Sequence, residues 1–457
     1  MGSPTRQLFG TDGIRGIAGE FPLTVESTYL IGRALGHDLI RTATNPRVVI
    51  GQDTRESSAW IADRVMLGLT SAGVETHSAG VITTPGVAYL ARSRKYTAGV
   101  VISASHNPWT DNGIKVFSGN GFKLPDSHEL AIEQEIFGLL KNPQKHAEGG
   151  GSLTSSLPGE AALRRAYIEW LAANVHADLS RLRVLVDCAN GAATAEAPEL
   201  FRTCGIQATF LNAAPDGGNI NENCGALHPE MVARALTEKG QFDLGITFDG
   251  DADRALFSDA AGRVVNGDGV LLLAARDMKS RGVLKGSTVV ATTMSNMGLE
   301  IALRNSGVQM VRANVGDKYV LEEMLKSGAT LGGEQSGHVI FRDGEATTGD
   351  GLLTALRVME IMVRSGKTLA ELIADLKVFP QTIQNVRVRE KVPFAQVPDI
   401  QRVITSAERE LDGNGRVVVR YSGTEALARV MVEAESEKKM LSLAQEITGA
   451  IKRALGA

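Results

Sequence analysis

The sequence predicts an α/β protein of four successive domains, and three observations predict it. Short apolar runs such as Val48-Val49-Ile50, Val184-Leu185-Val186 and residues 244–248 end in Gly- and Asp-rich turns, as buried strands do. Amphipathic segments alternate with these runs, which is the pattern of sheet domains covered by helices. From about residue 381 the texture changes to strand-like runs with polar neighbours, which marks a smaller α+β domain at the end. A length of 457 residues accommodates such a division, at roughly 150 residues per domain or fewer. The expected boundaries are 1–155, 156–257, 258–376 and 377–457.

Composition narrows the function classes. Hydrophobic residues make up 43% and charged residues 22%, so packed cores are expected. A net charge of −4 gives no reason to expect nucleic acid or an anionic membrane as partner. No apolar run approaches the length of a membrane span, and residues 1–10 lack the apolar centre of a signal peptide. Cys188, Cys204 and Cys224 form no CxxC pair and are odd in number, which suits free thiols in a reducing compartment. A cytoplasmic protein with small-molecule ligands is the expectation, with a homodimer left open.

In chain order, the first loop is Phe9-Gly10-Thr11-Asp12-Gly13-Ile14-Arg15-Gly16, whose glycines do not follow the GxGxxG dinucleotide spacing. Thr24 can cap a helix carrying Val25, Tyr29, Leu30, Leu35 and Leu39. A strand over 48–50 and a helix over 59–69 follow. Val100-Val101-Ile102 then runs into Ser103-Ala104-Ser105-His106-Asn107-Pro108, where a strand gives way to a turn. That places the Ser105 hydroxyl beside an imidazole, with Lys115 ten residues on. The residues alone allow either an ordinary polar turn or a nucleophile loop. Residues 146–156, rich in Gly and Ser, read as a surface boundary. A helix over 161–174 and a strand over 184–186 open the second unit, and the turn-rich loop 215–221 follows.

The strand 244–248 runs into Asp249-Gly250-Asp251-Ala252-Asp253-Arg254. Carboxylates at alternate positions, with small residues between, can converge on a hard cation such as Mg²⁺ or Ca²⁺. An EF-hand would need Gly at loop position 6 and Glu at position 12, where Arg254 and Ala260 stand. Strands are expected at 287–291 and 308–311. Between periodic segments lie Asn314 to Tyr319, and then Gly332-Gly333-Glu334-Gln335-Ser336-Gly337-His338, which is not the GxSxG elbow of serine hydrolases. Ser365-Gly366-Lys367-Thr368 imitates the end of a Walker A motif but lacks its first glycine, and reads as one helix ending and another starting. Val417-Val418-Val419 leads to Arg420-Tyr421-Ser422-Gly423-Thr424-Glu425, a turn whose N–H groups could cradle an anion, or an ordinary hairpin turn.

Taken together, the loops at Ser105, Asp249–Arg254, Glu334–His338 and Arg420–Arg429 resemble, in order, those of the α-D-phosphohexomutases, and the resemblance runs from Phe9 to Val432. It implies three related α/β domains and a smaller C-terminal domain around a central cleft. It implies that Ser105 carries the transferred phosphoryl group as phosphoserine, and that Asp249, Asp251, Asp253 and a phosphate oxygen on Ser105 hold one Mg²⁺. Arg15, Arg254 and His106 would face the reacting phosphate. Lys115, expected among cations that lower its pKa, would be the general acid/base. Glu334 and Ser336 would hold ring hydroxyls, with His338, Gly316 and Asp317 near the sugar. Arg420, Ser422, Gly423, Thr424 and Arg429 would grip the non-reacting phosphate. Tyr421, Ala426 and Ala428 depart from the family's usual residues. A hexose 1,6-bisphosphate, of glucosamine or glucose, would be intermediate and activator. The wording around the loops, and Gln335 where glucose- and mannose-directed relatives more often carry Met, points to glucosamine phosphates on the route to cell-wall precursors. A glucose- or mannose-directed mutase is the alternative.

Overall fold

The computed structural model describes residues 7–10, 12–141, 161–344, 346–422 and 426–457. The expected boundary loop at 146–156 and the site residues Gly423 and Thr424 lie outside the described residues. The chain divides into two compact units: residues 1–293 with 311–373, and residues 294–310 with 374–457.

The first unit begins with β1 (Phe9–Gly10), β2 (Gly13–Ile17), α1 (Val25–Thr42), β3 (Arg47–Gln52), α2 (Glu56–Ser71), β4 (Glu75–Val81), α3 (Thr84–Ser93), β5 (Ala98–Ile102), β6 (Asp111–Ser118) and α4 (Asp126–Leu140). Thr24 caps α1 as expected, in a capping box with Ser27. Next come α5 (Ala161–Ala173), β7 (Arg183–Asp187), α6 (Ala197–Thr203), β8 (Gln207–Leu211), α7 (Glu230–Lys239), β9 (Leu244–Phe248), β10 (Ala255–Asp259) and β11 (Val264–Val265). A third set contains α8 (Gly267–Ser280), β12 (Thr288–Thr292), α9 (Met297–Asn305), β13 (Gln309–Ala313), α10 (Asp317–Ser327), β14 (Leu331–Gly333), β15 (Val339–Phe341), α11 (Gly351–Ser365) and α12 (Leu369–Leu372). Of these, α9 belongs to the second unit. The false Walker A segment is a helix end: Gly366 is left-handed at φ 66° after α11, and Thr368 caps α12.

Three sheets share one plan. Their strand orders contain β4-β3-β5-β6, β8-β7-β9-β10 and β13-β12-β14-β15. In each, the fourth strand runs antiparallel to the third, through the pairs β5/β6, β9/β10 and β14/β15. β5, β9 and β12 are buried at every position, as in strands covered on both faces, and are mostly apolar, with threonines at 247, 288 and 292. The consequence for function is positional. The link from third to fourth strand holds Ser105 in the first sheet, the three aspartates in the second, and Glu334, Ser336 and His338 in the third. Three loops far apart in sequence are therefore the same feature of a repeated fold.

The second unit contains β16 (Gln381–Arg387), α13 (Pro398–Leu411), β17 (Gly415–Tyr421), β18 (Leu427–Ala434) and α14 (Glu437–Leu455). Its antiparallel sheet has the order β16-β18-β17 and packs Val430 and Val432 against Leu443, Ile447 and Ile451 of α14. Residues 294–310 join this unit through Asn296, whose amide donates to Phe379 O at 3.0 Å and Glu433 Oε1 at 3.1 Å.

Candidate active site

Ser105 lies just beyond β5, in the left-handed region at φ 54°, and is only 1% exposed. A non-glycine residue holds this conformation only where its surroundings determine it. Here two carbonyls are gripped from both sides. Buried Arg55 donates through Nη2 to Ser105 O at 3.1 Å and Asn107 O at 2.6 Å. Asn221, from the turn-rich 215–221 loop, donates through Nδ2 to the same oxygens at 2.9 and 3.0 Å. Asp53 neutralises Arg55. The Ser105 hydroxyl donates to Asp249 Oδ2 at 2.5 Å, and His106 Nδ1 lies 3.4 Å from Ser105 Oγ.

The β9–β10 turn brings Asp249, Asp251 and Asp253 together, all buried, with one oxygen of each within 4.8 Å of the others. Thr84 at the start of α3 donates its hydroxyl to Asp251. Among the described residues, buried Asp251 Oδ1 and Asp253 Oδ1 find no hydrogen-bond partner. Burial, then the neighbouring Asp253 and Asp251, push Asp249 well above the usual carboxylate range. Converging hard oxygens, two of them unsatisfied, fit a divalent cation of the Mg²⁺ or Ca²⁺ kind.

Lys115 on β6 overturns one expectation. It is crowded by carboxylates, not by cations: Asp251 at 2.8 Å, Asp12 at 2.9 Å and Asp253 at 3.8 Å. Burial opposes its charge, but those three aspartates outweigh burial and raise its pKa above the ordinary lysine value. Its proton is thus held tightly. Burial and the cations Arg254 and Arg15 instead depress His106 to about 4, leaving a neutral imidazole at ordinary pH.

A cavity of about 540 Å³ opens here. Its wall includes Arg15, His106, Asp253, Arg254, Gly316, Asp317, Glu334, Ser336 and His338, nine of the residues singled out from sequence. Gly349 N lies 3.0 Å from His338 Nε2, and Asp253 Oδ2 lies 3.6 Å from its Nδ1; burial opposes charge on this ring, but Asp253, Asp317 and Glu334 outweigh burial and raise its pKa to about 9. Glu334 Oε1 accepts the Gly316 N–H at 3.0 Å, a geometry that Gly316 permits at φ 126°. Gln335, which distinguishes this loop from those of glucose- and mannose-directed relatives, is not in the cavity wall. Its amide lies 3.4 Å from Asp268 Oδ2. Asp12, Lys123, Arg55, Thr84 and Asn221 were not singled out from sequence. Only the GTDG and PDGGNIN turns hinted at two of them.

In the second unit, Arg420 and Arg429 stand directly opposite each other across β17 and β18. Like charges in cross-strand register repel, which favours an anion between them. Ser422 is buried, and Lys391 Nζ donates to its carbonyl at 2.7 Å. Tyr421 stacks on Phe394 at 4.3 Å and donates to Val392 O at 2.6 Å, so this departure from the family's usual residue anchors the end of β17.

A repeated sheet plan with a buried serine beside an aspartate cluster defines a phosphohexomutase. The chain belongs to the phosphoglucomutase/phosphomannomutase family: residues 6–142, 165–262 and 266–379 match its α/β/α domains I, II and III, and 384–450 its C-terminal domain. It is 61% identical to phosphoglucosamine mutase of Koribacter versatilis over 458 aligned residues, covering 100% of this chain and 99% of that one. Identity to phosphoglucosamine mutase of Solibacter usitatus is 51%, covering 99% of each chain. Among solved structures, a phosphoglucomutase/phosphomannomutase family protein from Burkholderia thailandensis shares the fold at TM-score 0.78 and 24% identity, covering 98% and 99%. So does Aspergillus fumigatus N-acetylphosphoglucosamine mutase, solved with GlcNAc-6P and magnesium, at TM-score 0.63 and 20% identity, covering 99% and 96%. Among the described residues no helix is long and apolar enough to cross a membrane.

Proposed function

We propose that this enzyme interconverts glucosamine 6-phosphate and glucosamine 1-phosphate. The observation that carries the reading is the 2.5 Å contact of Ser105 Oγ with the aspartate cluster, beside a cavity whose other wall is the Glu334–His338 loop. Full-length identity to phosphoglucosamine mutases supports the amino sugar. So does charge. Among the described residues Glu334 is the carboxylate of the cavity wall with no ion pair, a suitable partner for an ammonium group.

In this reading Ser105 is phosphorylated and passes its phosphoryl group to the free hydroxyl of the sugar phosphate. The resulting 1,6-bisphosphate, which also serves as activator, turns round and returns the other phosphate to Ser105. Asp249, Asp251, Asp253 and an oxygen of the phosphoserine would hold Mg²⁺, which when bound neutralises charge on the transferred group. Arg15 and Arg254 add fixed positive charge at that end. Lys115 enters protonated, held so by Asp12, Asp251 and Asp253. It can give its proton to the departing Ser105 Oγ and regain one from the attacking sugar hydroxyl, and the same exchange run backwards serves the second transfer. Neutral His106 can accept a hydrogen bond near the same oxygen. Glu334, Ser336 and His338 would bind the ring, with Gly316 and Asp317 beside them. Arg420, Ser422, Gly423, Thr424 and Arg429 would bind the idle phosphate. The free cysteines suit a cytoplasmic location.

The test is turnover. Ser105-phosphorylated protein with Mg²⁺ is offered the 1-phosphates of glucosamine, glucose and mannose, and each 6-phosphate and free phosphate are followed. Preference for glucosamine 1-phosphate supports the reading. Equal or better turnover of glucose or mannose transfers it to those sugars. Free phosphate without any 6-phosphate refutes the mutase.

A further inference from the structure

One set of charged groups links the metal loop to the sugar loop. Asp251 touches Lys115 at 2.8 Å, and Lys115 touches Asp12 Oδ2 at 2.9 Å. The other oxygen of Asp12, Oδ1, takes Lys123 at 2.5 Å, and Lys123 reaches Asp317 Oδ2 at 2.6 Å. Charges alternate through five side chains. Asp317 opens α10 immediately after Gly316, whose N–H holds Glu334. The links are short and well shielded: the side chains of Lys115 and Asp251 are 2% and 0% exposed, those of Lys123 and Asp317 15% and 17%.

Lys123 has no role in the reaction as derived above. It follows β6 in a turn, placed by a lone antiparallel bridge to Phe117. Yet it is the group that ties Asp12, and through it Lys115, to the loop expected beside the sugar. In a shielded site, removing one charge from such a row shifts the others, because Asp12 is shared among Lys115, Lys123 and Arg15, and Asp317 between Lys123 and His338. Without Lys123, Asp12 keeps Lys115 and Arg15, while Asp317 is left with His338 at 3.8 Å.

We infer that Lys123 is a positioning residue: by bridging Asp12 and Asp317 it holds the Lys115 ammonium in its reactive place and couples that place to the Gly316–Asp317 loop. This rests on the phosphoryl-transfer reading of the site. The variants are Lys123→Met and Lys123→Gln, which keep bulk and lose charge, and Lys123→Arg, which keeps charge. The full-length, Ser105-phosphorylated enzyme is assayed with Mg²⁺ and glucosamine 1-phosphate, with melting temperatures measured in parallel. Expected is a fall in kcat of about tenfold or more in both neutral variants, the scale of a slightly misplaced reacting group. KM should stay within about threefold, since Lys123 is not expected to touch the sugar. Lys123→Arg should recover most of the loss.

Three outcomes overturn the inference. A lowered melting temperature with unchanged kcat makes Lys123 merely structural. A raised KM with unchanged kcat makes it a support of the sugar loop alone. Failure of arginine to rescue a folded enzyme denies the role of charge. If one neutral variant does not fold, the other and the arginine variant carry the test. Absence of mutase turnover in the unmutated enzyme would instead refute the functional reading on which the inference stands.

Discussion

Gly250 sits between Asp249 and Asp251 of the buried aspartate cluster, where backbone meets backbone. A Cβ built on it would lie 2.5 Å from Ser105 O, and 3.0 Å from both Asn221 Nδ2 and Ile220 Cδ1. Ordinary contact begins near 3.4 Å, so Gly250→Ala must separate the aspartate turn from the serine loop by about 0.9 Å. The obstacle is a carbonyl held by Arg55 and Asn221, which cannot rotate away as a side-chain end could. That displacement falls on the contact between Ser105 Oγ and Asp249, now 2.5 Å long. Misplacement of reacting groups by about 1 Å costs on the order of 10²-fold in rate. Overpacking should also cost about 1–3 kcal/mol of stability. The assay is kcat for glucosamine 1-phosphate turnover with Mg²⁺, beside a thermal melt and a Gly344→Ala control, where an added Cβ meets nothing within 4 Å. A Gly250→Ala enzyme with kcat within about threefold of the parent would refute the argument that close backbone approach holds the site together.

Asp251→Asn should leave the protein folded but abolish stimulation by added Mg²⁺, read as turnover against metal concentration; retained stimulation would remove Asp251 from the ligand set. Asn221→Ala should lower kcat by about tenfold, with KM for glucosamine 1-phosphate little changed, because it leaves the Ser105 and Asn107 carbonyls held by Arg55 alone without touching the cavity wall. Glu196 is fully buried, with the Thr83 N–H 3.3 and 3.4 Å from its two oxygens, and burial, with Asp350 adding to it, pushes its carboxyl up to about 8. A carboxyl whose folded pKa is raised holds its proton more tightly folded than unfolded, so it costs stability as pH rises from the unfolded value near 4.5 through about 8. Glu196→Gln should therefore melt above the parent at pH 9, with the gap closing as pH falls through that window.

Local chemistry alone was enough to read much of this protein. The strands around 48–50, 100–102, 184–186 and 244–248, the Thr24 cap and the break at Ser365–Gly366 follow from apolar runs and from glycine or capping residues within a few positions. The aspartate turn was legible for the same reason: its three carboxylates lie within five residues, so their convergence is a property of one turn. What tertiary structure decided are relations across long separations. Lys115 was expected among cations, but β2, β6 and the β9–β10 turn bring Asp12, Asp251 and Asp253 to it, and burial strengthens each charge, so its pKa moves in the opposite direction. The path of the Glu334–His338 loop turns Gln335 toward Asp268 while Glu334, Ser336 and His338 line the cavity. Asn221 and Lys123 are ordinary polar residues in turns until folding sets them beside groups 116 and 111 positions away. Side-chain type records what a residue can do. Which partner it does it with depends on contacts that only the packed sheets create.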